Sequence, residues 1–177
     1  MRKRQGIDGG ELKLQVNAID PLNGAALILN GGKFTSDFGT NMSGSTVSVT
    51  SNSAINAPTI SPVSFGALTF DADGILTING AGGETAFAST TVKTGVSAGV
   101  NAAGQNAALG AVTLEDAAGF TTSGANATVM GTLTLSGPTG GIGRSGAGTF
   151  ILDNYAGGAS KTLNIIGGGR TELALVG

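Results

Sequence analysis

Residues 67–83 read Ala-Leu-Thr-Phe-Asp-Ala-Asp-Gly-Ile-Leu-Thr-Ile-Asn-Gly-Ala-Gly-Gly. Two short runs of aliphatic, aromatic and Thr residues, 68–70 and 75–78, flank Asp71-Ala72-Asp73-Gly74, and the second run stops at Asn79-Gly80. Such residues suit a pleated, half-buried surface, whereas Asp, Asn and Gly tolerate the positive φ of tight turns. The stretch predicts a central hairpin with a four-residue loop. The same strand-and-stop unit recurs as ALILNGG (26–32), TLTLSGPTGG (132–141) and TLNIIGGG (162–169).

Outward from this stretch the chain is punctuated in the same way. Residues 11–19 alternate, with Leu12, Leu14, Val16 and Ala18 on one face. The turn Asp20-Pro21-Leu22-Asn23-Gly24 follows, with Asn-Gly as a positive-φ corner, and residues 25–30 complete a second predicted hairpin. Phe34 and Phe38 are expected to plug one end of a core. Further runs fall at 45–50, 84–92, 111–114, 127–136, 149–153, 161–166 and 170–176, and Pro58 and Pro62 bracket an edge strand at 59–61. Residues 93–110 read as a surface loop or a small-residue strand, and 121–126 and 137–148 as loops.

Ten or eleven short strands separated by turns fit a sandwich, barrel or solenoid. A solenoid needs a near-constant period, because each coil stacks on an equivalent neighbour. The recurring units start at Ala26, Ile75, Thr132 and Thr162, separations of 49, 57 and 30 residues. The expectation is therefore an all-β, antiparallel sandwich or barrel, jelly-roll-like, with long Gly-rich loops; an irregular β-solenoid is the alternative. A regular Thr ladder of the kind an ice-binding surface uses is not expected on this spacing. Residues 1–10 read as a flexible basic arm and 11–177 as one all-β domain, with a possible sub-boundary near 93–110.

Composition supports the all-β class. Gly accounts for 32 of 177 residues, over twice the usual share of about 7%. Interior glycines weaken helices by roughly 1 kcal/mol each relative to Ala. Leu, Ile, Val and Phe total 43, enough for an aliphatic core. Arg2, Lys3 and Arg4 hold three of the nine basic residues, leaving six against eleven acidic ones. No basic face remains to track a phosphate backbone, and one Tyr and no Trp offer little for base stacking. The expectation is no nucleic-acid partner and no membrane span. With a charged start but no apolar run behind it, the chain also lacks the pattern of a signal peptide.

Without His or Cys, the usual general base, thiol nucleophile and metal ligands are missing, and the chain reads as non-enzymatic with no cofactor. Asp71 and Asp73 open like a calcium loop, but the twelfth position, where a bidentate Glu is required, is Gly82. A structural turn is the preferred reading and Ca²⁺ the minor one. Glu115 and Asp116 are adjacent, so on a strand they point to opposite faces and do not form a paired-acid site. Residues 140–144 (Gly-Gly-Ile-Gly-Arg) and 167–170 (Gly-Gly-Gly-Arg) look superficially like phosphate cradles; neither has the Gly-Lys-Ser/Thr ending, and both read as loops.

The strings GTLTLSG (131–137), FGALTFDADGILTING (65–80) and KTLNIIGGG (161–169) resemble two groups of proteins. One is phage and virus virion accessories: capsid decoration proteins, head fibres and tail fibres. The other is the β-strand repeats of autotransporter passengers and bacterial adhesins. The virion resemblance implies a symmetric homo-oligomer, a trimer, bound to a major capsid or other virion protein and made in the host cytoplasm. In that reading Arg2, Lys3 and Arg4 contribute to the partner-binding arm. The adhesin resemblance implies a bacterial cell surface or secreted location.

Overall fold

The computed structural model describes residues 4–15, 20–57, 61–157, 161–167 and 171–173. Every strand pairing in it is parallel. The long sheet has eleven strands. Its path runs Arg4–Asp8, Ala26–Asn30, Val47–Val49, Val63–Phe70, Glu84–Val92, Asn106–Ala108, Thr128–Leu135, Phe150–Ala156 and Thr171–Leu173. Ala111–Leu114 joins it between Glu84–Val92 and Thr128–Leu135, and Asn41–Met42 pairs with Val63–Phe70. The short sheet has eight strands: Glu11–Leu14, Lys33–Ser36, Ser53–Ala57, Gly74–Gly80, Ser97–Ala102, Ala118–Gly124, Thr139–Arg144 and Thr162–Gly167. Because the chain visits the sheets alternately, it winds as a β-solenoid of about seven turns.

The expected antiparallel sandwich or barrel is therefore incorrect, and the stated alternative is the architecture. The recurring units lie on two different sheets. Ala26 and Thr132 begin or lie in long-sheet strands, whereas Ile75 and Thr162 belong to the short sheet. Comparing across sheets scrambles the period. Within the long sheet Leu27 pairs with Val47, Val47 with Leu68, Leu68 with Thr90, Thr90 with Val112 and Val112 with Leu133. Those steps are 20, 21, 22, 22 and 21 residues. In the short sheet Glu11, Lys33, Ala54, Thr77, Asn101 and Ser123 align in turn, at steps of 22, 21, 23, 24 and 22.

The two predicted hairpins become corners. Asp71–Asp73 joins long-sheet Val63–Phe70 to short-sheet Gly74–Gly80, so the flanking runs never pair with each other. Asp20–Gly24 likewise leads from the short sheet to the long one. Its expected positive φ is present, at 49° for Asn23 and 71° for Gly24. Residues 4–8, read as part of a loose arm, form a strand paired with Ala26–Asn30. Residues 93–110 contain Ser97–Ala102, which is paired on both sides, so the stack is unbroken there. Two predicted loops are strands: Ala118–Gly124 and Thr139–Arg144. Residues 16–19 and 58–60 lie outside the described residues.

Alternation now has a clear physical meaning: inward side chains of successive turns stack into columns. Ile7, Leu29, Val49, Phe70, Val92, Leu114 and Leu135 form one column, all buried. Aromatic rings tie the sheets together. Phe34 of the short sheet meets Phe65 of the long one edge-on at 5.7 Å, and Phe70 meets Phe120 at 5.8 Å. Phe65 stacks on Phe87 one turn further on, at 5.5 Å. Phe38, expected beside Phe34 in the core, is 40% exposed. Where the long-sheet strand is interrupted between Ala108 and Ala111, Gly110 has φ +58°, and a Cβ there would collide with the Ala88 carbonyl of the preceding turn.

Two outcomes follow from this packing. Phe34→Ala is expected to destabilise by about 3–5 kcal/mol in urea unfolding, whereas Phe38→Ala should stay within about 0.5 kcal/mol of wild type. Excising Leu68–Ser89 fuses Ala67 to Thr90, which stands in register with Leu68. That variant should fold cooperatively and be shorter by about 4.8 Å, one strand spacing. Excising only Leu68–Asn79 removes one corner and most of one short-sheet strand, and should abolish the cooperative thermal transition.

Candidate functional surfaces

Stacking also fixes what the outside of the molecule presents. At the corner following the long sheet, the acids singled out in the sequence come together on successive turns, with Lys93 between them. The backbone N–H groups of Asp71, Lys93, Glu115 and Ser136 each donate to the strand one turn back, at Val49, Phe70, Val92 and Leu114. Their side chains extend this ladder. Ser48 donates its hydroxyl to Asp71 (2.5 Å), and the Ser97 N–H donates to Asp73 (2.7 Å). Lys93 donates to Glu115 (2.8 Å), as do the N–H and hydroxyl of Thr94. The Thr139 hydroxyl reaches Asp116 at 3.5 Å.

The two carboxylates proposed for Ca²⁺ are thus committed in opposite directions, Asp71 to the preceding turn and Asp73 to the following one. No group of three or more acidic, His or Cys side chains able to hold a metal occurs among the described residues. Arg2 and Lys3, expected in the partner-binding arm, lie outside the described residues, and only the backbone of Arg4 is described. No helix is long and apolar enough to cross a membrane among the described residues.

The short sheet carries a polar strip near its first turns. Lys13 pairs with Asp37 (3.0 Å) and Lys33 with Glu11 (3.2 Å); Thr35 donates its hydroxyl to Glu11 (2.5 Å), and the Asn79 amide donates to Asn56 (3.0 Å). All of these side chains except Lys33 line a shallow hollow of about 510 Å³. The charges are mutually neutralised, so the strip offers hydrogen bonds rather than a field. The Thr35 hydroxyl and Lys33 hold the Glu11 carboxyl below the usual carboxylate range.

Arg144, expected in a phosphate-cradle-like loop, ends a strand and turns inward, 3% exposed. Nε donates to the Gly148 carbonyl (3.1 Å) and Nη2 to that of Gly124 (2.9 Å), while Nη1 is buried without a partner. Burial pushes its pKa down. It braces a corner from inside, as Gln105 does at an earlier turn by donating to the Ala57 carbonyl and accepting from Thr85.

The outer face of the long sheet is different again. Thr69, Thr91, Thr113 and Thr134 align in register on four successive turns. The expectation that no regular Thr ladder exists is therefore corrected. Its signal was present as Thr recurring at steps of 22, 22 and 21, hidden because the compared strings came from both sheets. Two residues upstream stand Ala67, Ser89, Ala111 and Thr132. These columns contain no charged side chain. Comparisons with family models, curated proteins and solved structures return no match for this chain.

The Lys93–Glu115 pair yields a pH prediction. The Lys93 hydrogen bond, with help from Thr94, lowers the Glu115 pKa, and the Glu115 partner raises that of Lys93. A lowered carboxyl pKa contributes stability above the ordinary glutamate value, about 4.3, that is lost as pH falls through the folded value. The raised Lys93 pKa contributes stability below the ordinary lysine value, about 10.4, that is lost as pH rises through the folded value. Thermal melts across pH should therefore show Glu115→Gln nearly equal to wild type in strong acid and less stable near neutrality. A neutral-pH Tm equal to wild type would show that the pair contributes nothing.

Proposed function

We propose that this chain is a non-enzymatic surface rod of the adhesin or autotransporter-passenger kind, whose role is to hold laterally exposed faces in fixed register. The observation that carries the reading is the parallel stack itself. A single chain builds its core turn by turn, so the stack can present a long regular surface. The strings that resemble passenger repeats, such as GTLTLSG at 131–137, fall on or beside strands of that stack. The competing proposal, a trimeric capsid-decorating protein or fibre segment, draws on the same strings and places its binding edge on the arm at residues 1–10 and on Gly-rich loops. The strand at Arg4–Asp8 takes part of that arm into the stack and leaves the decoration reading with less support, whereas a fibre segment is as compatible with a β-solenoid as an adhesin is.

Repetition along the rod axis suits weak contacts made many times over, where linked sites gain effective concentration. Side-chain bonds within the corner ladder and the polar strip join neighbouring turns, which stiffens the rod without a disulfide. The test is location in the producing organism. Antibody labelling of intact cells, together with fractionation of culture medium and purified phage particles, should find the protein at the cell surface or in the medium. Recovery in purified particles would instead establish the virion reading, and recovery confined to cytosol would overturn both.

A further inference from the structure

The geometry points to an ice-binding face: we infer that the outer surface of the long sheet, centred on Thr69, Thr91, Thr113 and Thr134, binds the ordered water lattice of ice. This inference stands on the face alone and is independent of where the protein is located.

Successive turns of a β-stack lie about 4.7–4.9 Å apart, and side chains two residues apart on one strand are about 6.6 Å apart. The Thr column therefore provides points along the axis at the first spacing. Its neighbouring column, through Ser89 and Thr132, provides the second direction at roughly right angles. Register fixes the grid: Thr69 pairs with Thr91, Thr91 with Thr113 and Thr113 with Thr134, without an insertion. The spacing along the axis is close to the shorter oxygen repeat of ordinary hexagonal ice, and the spacing along the strands falls somewhat short of the longer one.

The chemistry of the face is the second, separate observation. The hydroxyls of Thr69, Thr91, Thr113 and Thr134 make no hydrogen bond among the described residues, whereas several hydroxyls elsewhere are engaged. Ser48 is committed to Asp71, Thr35 to Glu11 and Thr94 to Glu115, and the inward Thr85 and Thr90 to Gln105 and the Leu109 carbonyl. The four outer hydroxyls thus keep both donor and acceptor capacity. Each Thr is β-branched, half-buried and flanked by its equivalents, which restricts χ1 and holds hydroxyl and methyl in a repeated orientation.

Charge selects among occupants. The four Thr and their upstream neighbours carry none; at the adjoining corner Lys93 pairs with Glu115, and Asp71 accepts from Ser48, which stands in register with Thr69 one turn back. A charged group within the grid would organise its own hydration shell and disrupt a water lattice. Conversely, a protein partner anchored by hot spots favours Trp, Tyr and Arg in pockets, and these columns contain only Thr, Ser and Ala. Each water contact is weak, so holding depends on many equivalent contacts made at once.

The purified full chain should shape growing ice crystals and inhibit recrystallisation in frozen solution, observed by cold-stage microscopy and nanolitre osmometry. Thr91→Tyr and Thr113→Tyr place a bulky ring on the grid and should raise the concentration needed for half-inhibition by roughly tenfold or more, as expected when a multivalent contact is broken. Thr77→Tyr, on the outer face of the opposite sheet, should leave inhibition unchanged. Melting curves verify that all three variants fold. Absence of crystal shaping by wild type, or full activity in the Thr91 and Thr113 variants, would overturn the inference. So would a wild-type dimer, dissociated by Thr91→Tyr, that is inert towards ice, since the face would then be an interface between copies of the chain.

Discussion

The constraint on which the rest depends is that backbone groups of each turn must find partners on the turns beside it. Parallel pairing requires successive coils to return to nearly the same place, so coil length is confined to 20–24 residues between paired positions. Within that limit small differences are absorbed at corners and at the break between Ala108 and Ala111. Gly110 shows how little room there is: its positive φ and the adjacent Ala88 carbonyl leave no space for a side chain. Part of the abundance of Gly, which in the sequence suggests loops, reflects close passage of one turn over another, as at Gly66, Gly104, Gly110 and Gly124.

Much of the strand content was legible in the sequence. Alternation located Glu84–Val92, Ala111–Leu114, Thr128–Leu135 and Phe150–Ala156 to within a few residues. Pairing partners were not legible, because aliphatic and Thr runs of equal quality occur on both sheets, and similarity between strings cannot tell them apart. The missed strands Ala118–Gly124 and Thr139–Arg144 are instructive. Their outward positions are small or Gly, and Thr122 and Arg144 point inward, so a hydrophobic pattern is weak. Interior glycines that would weaken an isolated strand are tolerated where both edges are bonded to neighbouring turns.

The candidate surfaces were less legible for the same reason. Glu115 and Asp116 were read as one strand end, but their partners, Lys93 and Thr139, lie one turn away in opposite directions. Asp71 and Asp73 look like a local pair in sequence, yet they too serve different turns. Local spacing, which identifies a metal loop or a catalytic dyad when both ligands share a neighbourhood, says little in a solenoid. There the nearest chemical neighbour of a residue is usually about 22 positions away.

Column logic also separates two uses of threonine. Inward Thr85, Thr90 and Thr122 sit in the interior, where an unpaired hydroxyl costs stability, and each donates to a neighbouring acceptor. Buried Thr128, whose hydroxyl lacks a partner, lies near the beginning of a strand and is the exception. Outward Thr69, Thr91, Thr113 and Thr134 face no such demand, because water can satisfy them. Their common residue type is not required by the core or by corner hydrogen bonding. Pairing of like β-branched side chains across strands does stabilise a sheet by roughly 0.2–1 kcal/mol per pair, but Val or Ile would serve that purpose as well. What Thr adds is a hydroxyl at each of the four positions of this uncharged column, so its composition is accounted for by what lies outside the protein.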